Sequence, residues 1–347
     1  MLNKRQDAIL DILRLSGPAT RESMERSLQS RDFSASKVTL LRDLDKLMQA
    51  SLVEKTGTGK STRYALGMHS ALTLPFDPDA YFAKDADQRS LRSETFRFDI
   101  FDELHHLLSD EDIAAVHALN DRFRRKKTSL TPRLLQKECE RITIELAWKS
   151  SRIEGNTYSL LDTERLLREN IAAEGKTAEE TAMVLNHKHA LDYVWEQPSY
   201  FRTISVAKIE ELHALITEGL GVAKGIRSGM VGIVGTNYRP LDNPFQIREA
   251  LERLAALINA AAEPVEKALL AVLMVSYIQP FEDGNKRTAR ILGNAILLAH
   301  DWCPLSYRSV DEIAYKKAVI LFYEQNSIAC FRQLFLEQFR LAAEKYF

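Results

Sequence analysis

The sequence predicts a mainly α-helical chain in two unequal parts. A small N-terminal module of three helices and a β-hairpin precedes a long helical body with one short β-rich interruption. Three observations carry this reading. Apolar residues recur at helical spacing from Leu134 nearly to the C-terminus. One stretch, Gly229 to Pro240, is instead rich in glycine and β-branched residues, the texture of a hairpin. The first 66 residues hold twelve Lys/Arg against eight Asp/Glu, a charge of +4, while the rest hold 35 against 40.

The composition narrows the function classes. Apolar residues make up 45% and charged residues 27% of 347, the balance of a globular chain of two or three domains. Fourteen glycines and ten prolines exclude collagen-like and low-complexity architectures. The net charge of −1 gives no overall field toward nucleic acid or an acidic membrane. The longest apolar run, Ala268 to Ile278, is interrupted only by Ser276 and is too short for a bilayer, which needs about 20 residues. Met1 to Asp7 shows no signal-peptide pattern, and Cys139, Cys303 and Cys330 match no metal spacing. A cytoplasmic protein with reduced thiols and no membrane partner is expected.

In the N-terminal module, Asn3 to Leu15 reads as the first helix. Gly17-Pro18-Ala19-Thr20 turns the chain, and Thr20 caps a second helix to about Leu28. Ser34 is the expected cap of a third helix that continues to Gln49, with Val38, Leu41, Leu44, Leu47 and Met48 at helical spacing. Two short runs around Thr56-Gly57-Thr58-Gly59 form the hairpin. Three helices and a hairpin within residues 1–66 resemble a winged helix-turn-helix. That resemblance implies DNA binding, with the third helix in the major groove and the hairpin tip on phosphate. Ser36, Lys37, Thr39, Leu40 and Arg42 then lie where bases are read, and Lys60 and Arg63 are wing contacts. A charge of +4 is small for tight binding by one copy, so a homodimer is expected. The alternative is a protein-contact module. Gly59-Lys60-Ser61 ends like a P-loop, but the glycine needed five places earlier is Glu54.

Residues 67–90 read as a linker, and 91–347 as the helical body. Its expected helices are Leu134 to Glu154, Leu160 to Glu174, Ala178 to Glu196, Val206 to Gly219, Pro244 to Ala262, Pro264 to Tyr277, Asn285 to His300, Val310 to Gln325 and Ile328 to Lys345.

The chemistry concentrates in Gln279-Pro280-Phe281-Glu282-Asp283-Gly284-Asn285-Lys286-Arg287-Thr288-Ala289-Arg290. An apolar helix ends, a Pro/Gly turn follows, and a new helix starts near Asn285. A helix start offers unpaired N–H groups to an anion, and Lys286, Arg287 and Arg290 add cations in the same turns. Asp283 just ahead suits Mg²⁺ shared with substrate phosphates. These residues read as a nucleotide-phosphate site with a metal. A capped helix with a solvated basic face is the alternative.

This stretch resembles the Fic motif, His-x-Phe-x-(Asp/Glu)-Gly-Asn-(Gly/Lys)-Arg-x-x-Arg, at every defined position except the first. The resemblance implies a helical Fic-type bundle that transfers AMP from ATP to a protein hydroxyl. It implies Asp283 on Mg²⁺, Gly284, Asn285, Lys286 and Arg287 at the nucleotide, Phe281 packing the loop, and Arg290 on the terminal phosphate. Ser150-Ser151-Arg152-Ile153-Glu154-Gly155 resembles the family's inhibitory motif, on a helix at about 134–155. Ser150, Glu154 and Gly155 then carry inhibition, with Glu154 pairing Arg290. The hairpin at 229–240 falls where the family has a flap, implying that Val231, Ile233 and Val234 hold a target segment by strand addition.

The first position departs from the motif. The family's histidine takes the target's proton, but Gln279 has no basic nitrogen, so general-base catalysis worth about 10²–10⁴-fold is expected to be missing. Lys286 stands where many AMP-transferring relatives have glycine, and in the Doc branch a lysine accompanies phosphoryl transfer. Two functions follow: an autoinhibited AMP transferase with impaired or unconventional chemistry, and a DNA-binding regulator whose Fic domain binds nucleotide without efficient catalysis.

Overall fold

The structure, a computed structural model, describes residues 2–33, 36–50, 52–67, 72–73 and 75–346, apart from the Lys60 side chain. Near the N-terminus, α1 (Lys4–Ser16) starts at a capping box in which Asn3 accepts from the Gln6 amide and Gln6 accepts from Asn3. Helix α2 (Arg21–Gln29) is capped by the Thr20 hydroxyl, as expected. Helix α3 (Lys37–Gln49) is capped by Ser36; the expected cap, Ser34, lies outside the described residues. Strands β1 (Val53–Thr56) and β2 (Arg63–Leu66) pair antiparallel, Val53 opposite Leu66 and Thr56 opposite Arg63. Residues from Ala8 to Leu66 close a core of their own around Ile9, Met24, Leu40, Leu44 and Leu47. Asp43, buried, ties α3 to α1 through Arg5 at 2.5 Å.

The stretch expected to be a linker is packed where it is described. Leu72 is buried and its carbonyl accepts from the Ile328 amide at 2.8 Å. After it, α4 (Pro78–Phe82) starts at an Asp77 cap. Arg89 then forms a buried ion pair with Glu324 at 3.2 Å.

The body continues with α5 (Asp110–Ser129), α6 (Pro132–Ile153), α7 (Leu160–Glu169), α8 (Ala178–Glu196) and α9 (Val206–Ile216). Then come α10 (Pro244–Ala260), α11 (Pro264–Ile278), α12 (Asn285–Ala299), α13 (Glu312–Gln325) and α14 (Ala329–Lys345). Nine of these were expected; five end one to five residues earlier than the apolar pattern suggested, three end where expected and α11 ends one residue later. Helix α5 was not among them, although Ser109 and Asp112 form a capping box and Val116 and Phe123 supply its buried face.

Helices α11 and α12 are the centre of the molecule. Val265 to Ile278 are buried without exception, and α12 exposes almost nothing. The two approach most closely at Gly293, where a Cβ would stand 2.6 Å from a Val272 methyl carbon. Only a hydrogen fits there. This tight pair fixes the six-residue connection 279–284 between them on a rigid base.

The expected β-hairpin at 229–240 does not form. Among the described residues the only ladder is β1 with β2, and this segment runs as irregular chain with a turn at Val234–Gly235 and one bridge, Thr95 to Arg239. The physical reason is that its backbone is bound by side chains instead of by a second strand. Arg89 donates to the Gly235 carbonyl, and Arg227 to those of Gly229 and Leu241. No helix among the described residues is long and apolar enough to cross a membrane.

Candidate active site

Gln279 ends α11 in the left-handed conformation, φ 51°, and Gly284 opens α12 at φ 78°. Glycine is required at the second position. A Cβ on Gly284 would lie 2.8 Å from Thr217 Cγ2, in a backbone conformation that side chains already disfavour. Between them Phe281 points into the core and stacks on His213, ring centroids 3.7 Å apart. His213 Nε2 donates to the Asp283 carbonyl at 3.0 Å, and burial pushes its pKa down to about 4, so the ring is neutral. Arg227 binds the loop from the other side, donating to the Gln279 carbonyl at 2.7 Å. Neither His213 nor Arg227 was singled out from the sequence. Both act from other segments through backbone atoms of the loop, which leaves no local spacing signal.

The start of α12 is open to an anion. No side chain caps it. Asn285 turns back, accepting from the Phe281 amide at 2.9 Å and donating to its carbonyl at 2.8 Å. The first-turn N–H groups therefore face the cavity without a side-chain cap. Arg287 is buried and holds Asp283 at 2.6 Å, while its NH1 is buried with no hydrogen-bond partner. An orphaned guanidinium nitrogen beside a helix start suits a phosphate oxygen.

Gln279 does not present its amide to this cavity as a free group. Its Oε1 accepts from Asn285 Nδ2 at 3.0 Å, and its Nε2 donates to the Ser276 carbonyl at 2.6 Å. Tyr323 Oη is 3.5 Å away. The side chain braces the turn and offers no proton acceptor of basic strength.

Glu154 closes the other wall. It ends α6, and Gly155 follows at φ 99°. Its two carboxylate oxygens meet two cations of α12: Oε1 accepts from Arg290 NH2 at 2.9 Å, and Oε2 lies 2.8 Å from Lys286 Nζ. Burial pushes the carboxyl up, but Arg290 and Lys286 outweigh it and hold Glu154 down to about 2. The expected contact with Arg290 is present, and Lys286 is a second partner that the sequence reading had not paired with it. Arg290 is wholly buried. It donates to the Ser150 hydroxyl at 2.8 Å and carbonyl at 2.9 Å and lies over the Tyr315 ring at 5.4 Å.

These groups line one cavity of about 350 Å³. Glu154, Gln279, Asp283, Gly284, Asn285, Lys286 and Arg287 form its polar side, and Ile153, Tyr315, Val319, Ile320 and Tyr323 its apolar side. Val231, Ile233 and Val234 line its mouth, with Val234 almost fully exposed. A polar, cationic end and an apolar wall suit a nucleotide.

The residues expected to bind DNA lie far from this cavity in sequence and in a different core. Ser36, Lys37, Arg42 and Arg63 are exposed, and Thr39 shares a hydrogen bond with Ser36 at 2.9 Å. Leu40 is not available to a base. It is buried in the N-terminal core because its position on α3 faces α1 and α2. The Lys60 side chain lies outside the described residues.

The chain resembles known proteins in sequence and in fold. Residues 203–297 match the Fic/DOC family model. Protein adenylyltransferase Fic of Drosophila willistoni is 27% identical over 199 residues, which cover 56% of this chain and 37% of that protein. The Drosophila melanogaster protein of the same name matches to the same extent. The chain thus spans little more than a third of the length of these relatives. Among solved structures, Fic-1 from C. elegans aligns with a TM-score of 0.58 at 17% identity, covering 99% of this chain and 98% of that one. A Fic family protein from Desulfovibrio desulfuricans G20 aligns at 0.57 with 21% identity over 69% of this chain and 74% of that one. The matched residues 203–297 contain the whole 279–290 loop and helix start.

Proposed function

We propose that this chain is a Fic-type nucleotide-binding protein on an AMP-transferase scaffold, held off by Glu154 and weakened in chemistry by Gln279. One observation carries the reading: the Glu154 carboxylate sits between Arg290 and Lys286 at 2.9 and 2.8 Å, inside the cavity that a triphosphate would enter. A carboxylate in that place takes up the cations that a terminal phosphate needs. With Glu154 withdrawn, the N-terminus of α12 and the free NH1 of Arg287 hold the inner phosphates and Arg290 the outer one.

Asp283 fits Mg²⁺, being a largely exposed carboxylate at the lip of the phosphate site. Bound there, the ion offsets phosphate charge. A target chain would enter along Val231, Ile233 and Val234, whose backbone is not paired into a ladder. The missing part is the base. Gln279, its amide engaged by Asn285 and the Ser276 carbonyl, cannot take the proton of a target hydroxyl.

The test is transfer from ATP labelled at either the α- or the γ-phosphate, using the unsubstituted protein, Gln279→His, Glu154→Gly and both together. The double variant is expected to transfer the α-label. Transfer of the γ-label instead would reassign the site to phosphoryl transfer, the direction in which Lys286 points.

A second reading is favoured by the N-terminal module, which has its own core and exposes Lys37 and Arg42 on α3 and Arg63 on β2. A winged-helix DNA contact there would make the chain a regulator whose Fic domain binds nucleotide without turnover. ATP binding with no transfer by any of the four forms, alongside salt-dependent duplex binding, would favour this reading over the first.

A further inference from the structure

The Ser150 hydroxyl differs from those of Ser16, Thr163 and Ser276. Ser16, Thr163 and Ser276 each bond back to the carbonyl four residues earlier, at 2.7, 2.9 and 2.7 Å. That is the usual choice for Ser and Thr inside a helix. The Ser150 oxygen instead lies 2.7 Å from His187 Nε2 and 2.8 Å from Arg290 Nε. His187 stands on α8, wholly buried, and its Nδ1 lies 2.8 Å from the Met183 carbonyl and 3.3 Å from the Ser151 hydroxyl.

The protons in this chain are fixed by its ends. A carbonyl can only accept, so His187 carries its proton on Nδ1 and leaves Nε2 bare. Arg290 can only donate, so the Ser150 oxygen must accept from it and send its own proton to His187 Nε2. Burial also pushes the His187 pKa down to about 3, with Arg287 and Arg290 adding to the effect, so the ring stays neutral.

We propose that His187 is a positioning residue of the nucleotide site: by accepting the Ser150 hydroxyl proton it turns the Ser150 oxygen to Arg290 and aims that guanidinium at the terminal phosphate. The inference rests on the nucleotide reading above. It also predicts that Arg290 keeps its place when Glu154 is removed. Its Nε and one NH2 bond belong to Ser150, and only the bond to Glu154 is given up to a ligand.

The experiment compares ATP·Mg²⁺ and AMP affinities by calorimetry in the Glu154→Gly background, with His187 intact, His187→Leu and His187→Gln. His187→Leu removes the acceptor at similar size and is expected to weaken ATP roughly ten- to hundredfold, the worth of the charged Arg290–phosphate hydrogen bond that is then misaimed. AMP, which lacks the phosphate that meets Arg290, is expected to bind unchanged. His187→Gln keeps an acceptor oxygen and should recover most of the loss. Equal loss for ATP and AMP, unchanged ATP affinity in His187→Leu, or no rescue by Gln would each overturn the proposal. If the Glu154→Gly parent itself bound no ATP, the nucleotide reading would fail with it. Independently of any variant, ¹⁵N spectra of the unsubstituted protein should show His187 as the Nδ1–H tautomer at neutral pH. An Nε2–H tautomer would contradict the relay.

Discussion

Glu154 answers to two cations at once, and this decides how the site should respond to pH. Its carboxyl is held at about 2, below the ordinary carboxylate value of 4.5. A depressed pKa means that the pairing is complete above the ordinary value and is lost only as pH falls through the lowered one. Between pH 5 and 8 the contact with Arg290 and Lys286 should therefore be constant. The ratio of ATP affinities between Glu154→Gly and the parent is expected to be flat over that range, as calorimetry at each pH would show; a ratio that collapsed near pH 5 would mean the carboxylate is not paired this way. Gln279 sets the second expectation at this scale. Glu154→Gly alone should transfer AMP at least about 10²-fold more slowly than Glu154→Gly with Gln279→His, since only the latter has a general base. Comparable rates in a label-transfer assay would place the base on another residue.

The loop between α11 and α12 is the element that makes a site from these residues, and its strength lies in backbone geometry. Gly284→Ala meets both a left-handed φ and a contact 2.8 Å from Thr217 Cγ2, whereas Gly17→Ala meets a φ of 70° with open space around it. Strain alone costs about 1–2 kcal/mol, so Gly284→Ala should exceed that and lower the melting temperature more than Gly17→Ala does. Scanning calorimetry of the two variants checks the order. This loop was largely legible in the sequence, because its Gly, Asn and Arg residues fall at a local spacing, and Asn285 and Arg287 bond within four positions of themselves. His213, Arg227 and His187 were not legible, since each reaches the site from a different segment and bonds to backbone or hydroxyl atoms. The same limit explains the flap. Gly229 to Pro240 has the composition of a hairpin, but Arg89 and Arg227 claim its carbonyls from outside, and composition carries no record of them. The helices fared better, being set by apolar spacing. Helix α5 escaped because charged residues outnumber its few buried ones, Val116, Asn120 and Phe123.

At the scale of the molecule, residues 8–66 close one core and residues 72–346 a larger one, beside a small cluster of Ala147, Tyr158, Leu166 and Val184. The Arg14 guanidinium over the Phe76 ring links the N-terminal core to the chain that follows it. If the N-terminal module meets DNA, Lys60→Ala and Arg63→Ala should each weaken binding to all duplexes alike and flatten the salt dependence by roughly one unit of slope. Arg42→Ala, if that side chain meets a base, should instead relax preference at one position. A selection from random duplexes with no enriched sequence and no salt-dependent binding would leave the module as a protein contact. The central claim remains that Glu154 occupies the place of a phosphate. Calorimetry of ATP with Mg²⁺ on the unsubstituted protein and on Glu154→Gly tests it most directly. The account predicts weak or undetectable binding by the first and clear one-to-one binding by the second; equal affinity and stoichiometry for both would contradict it.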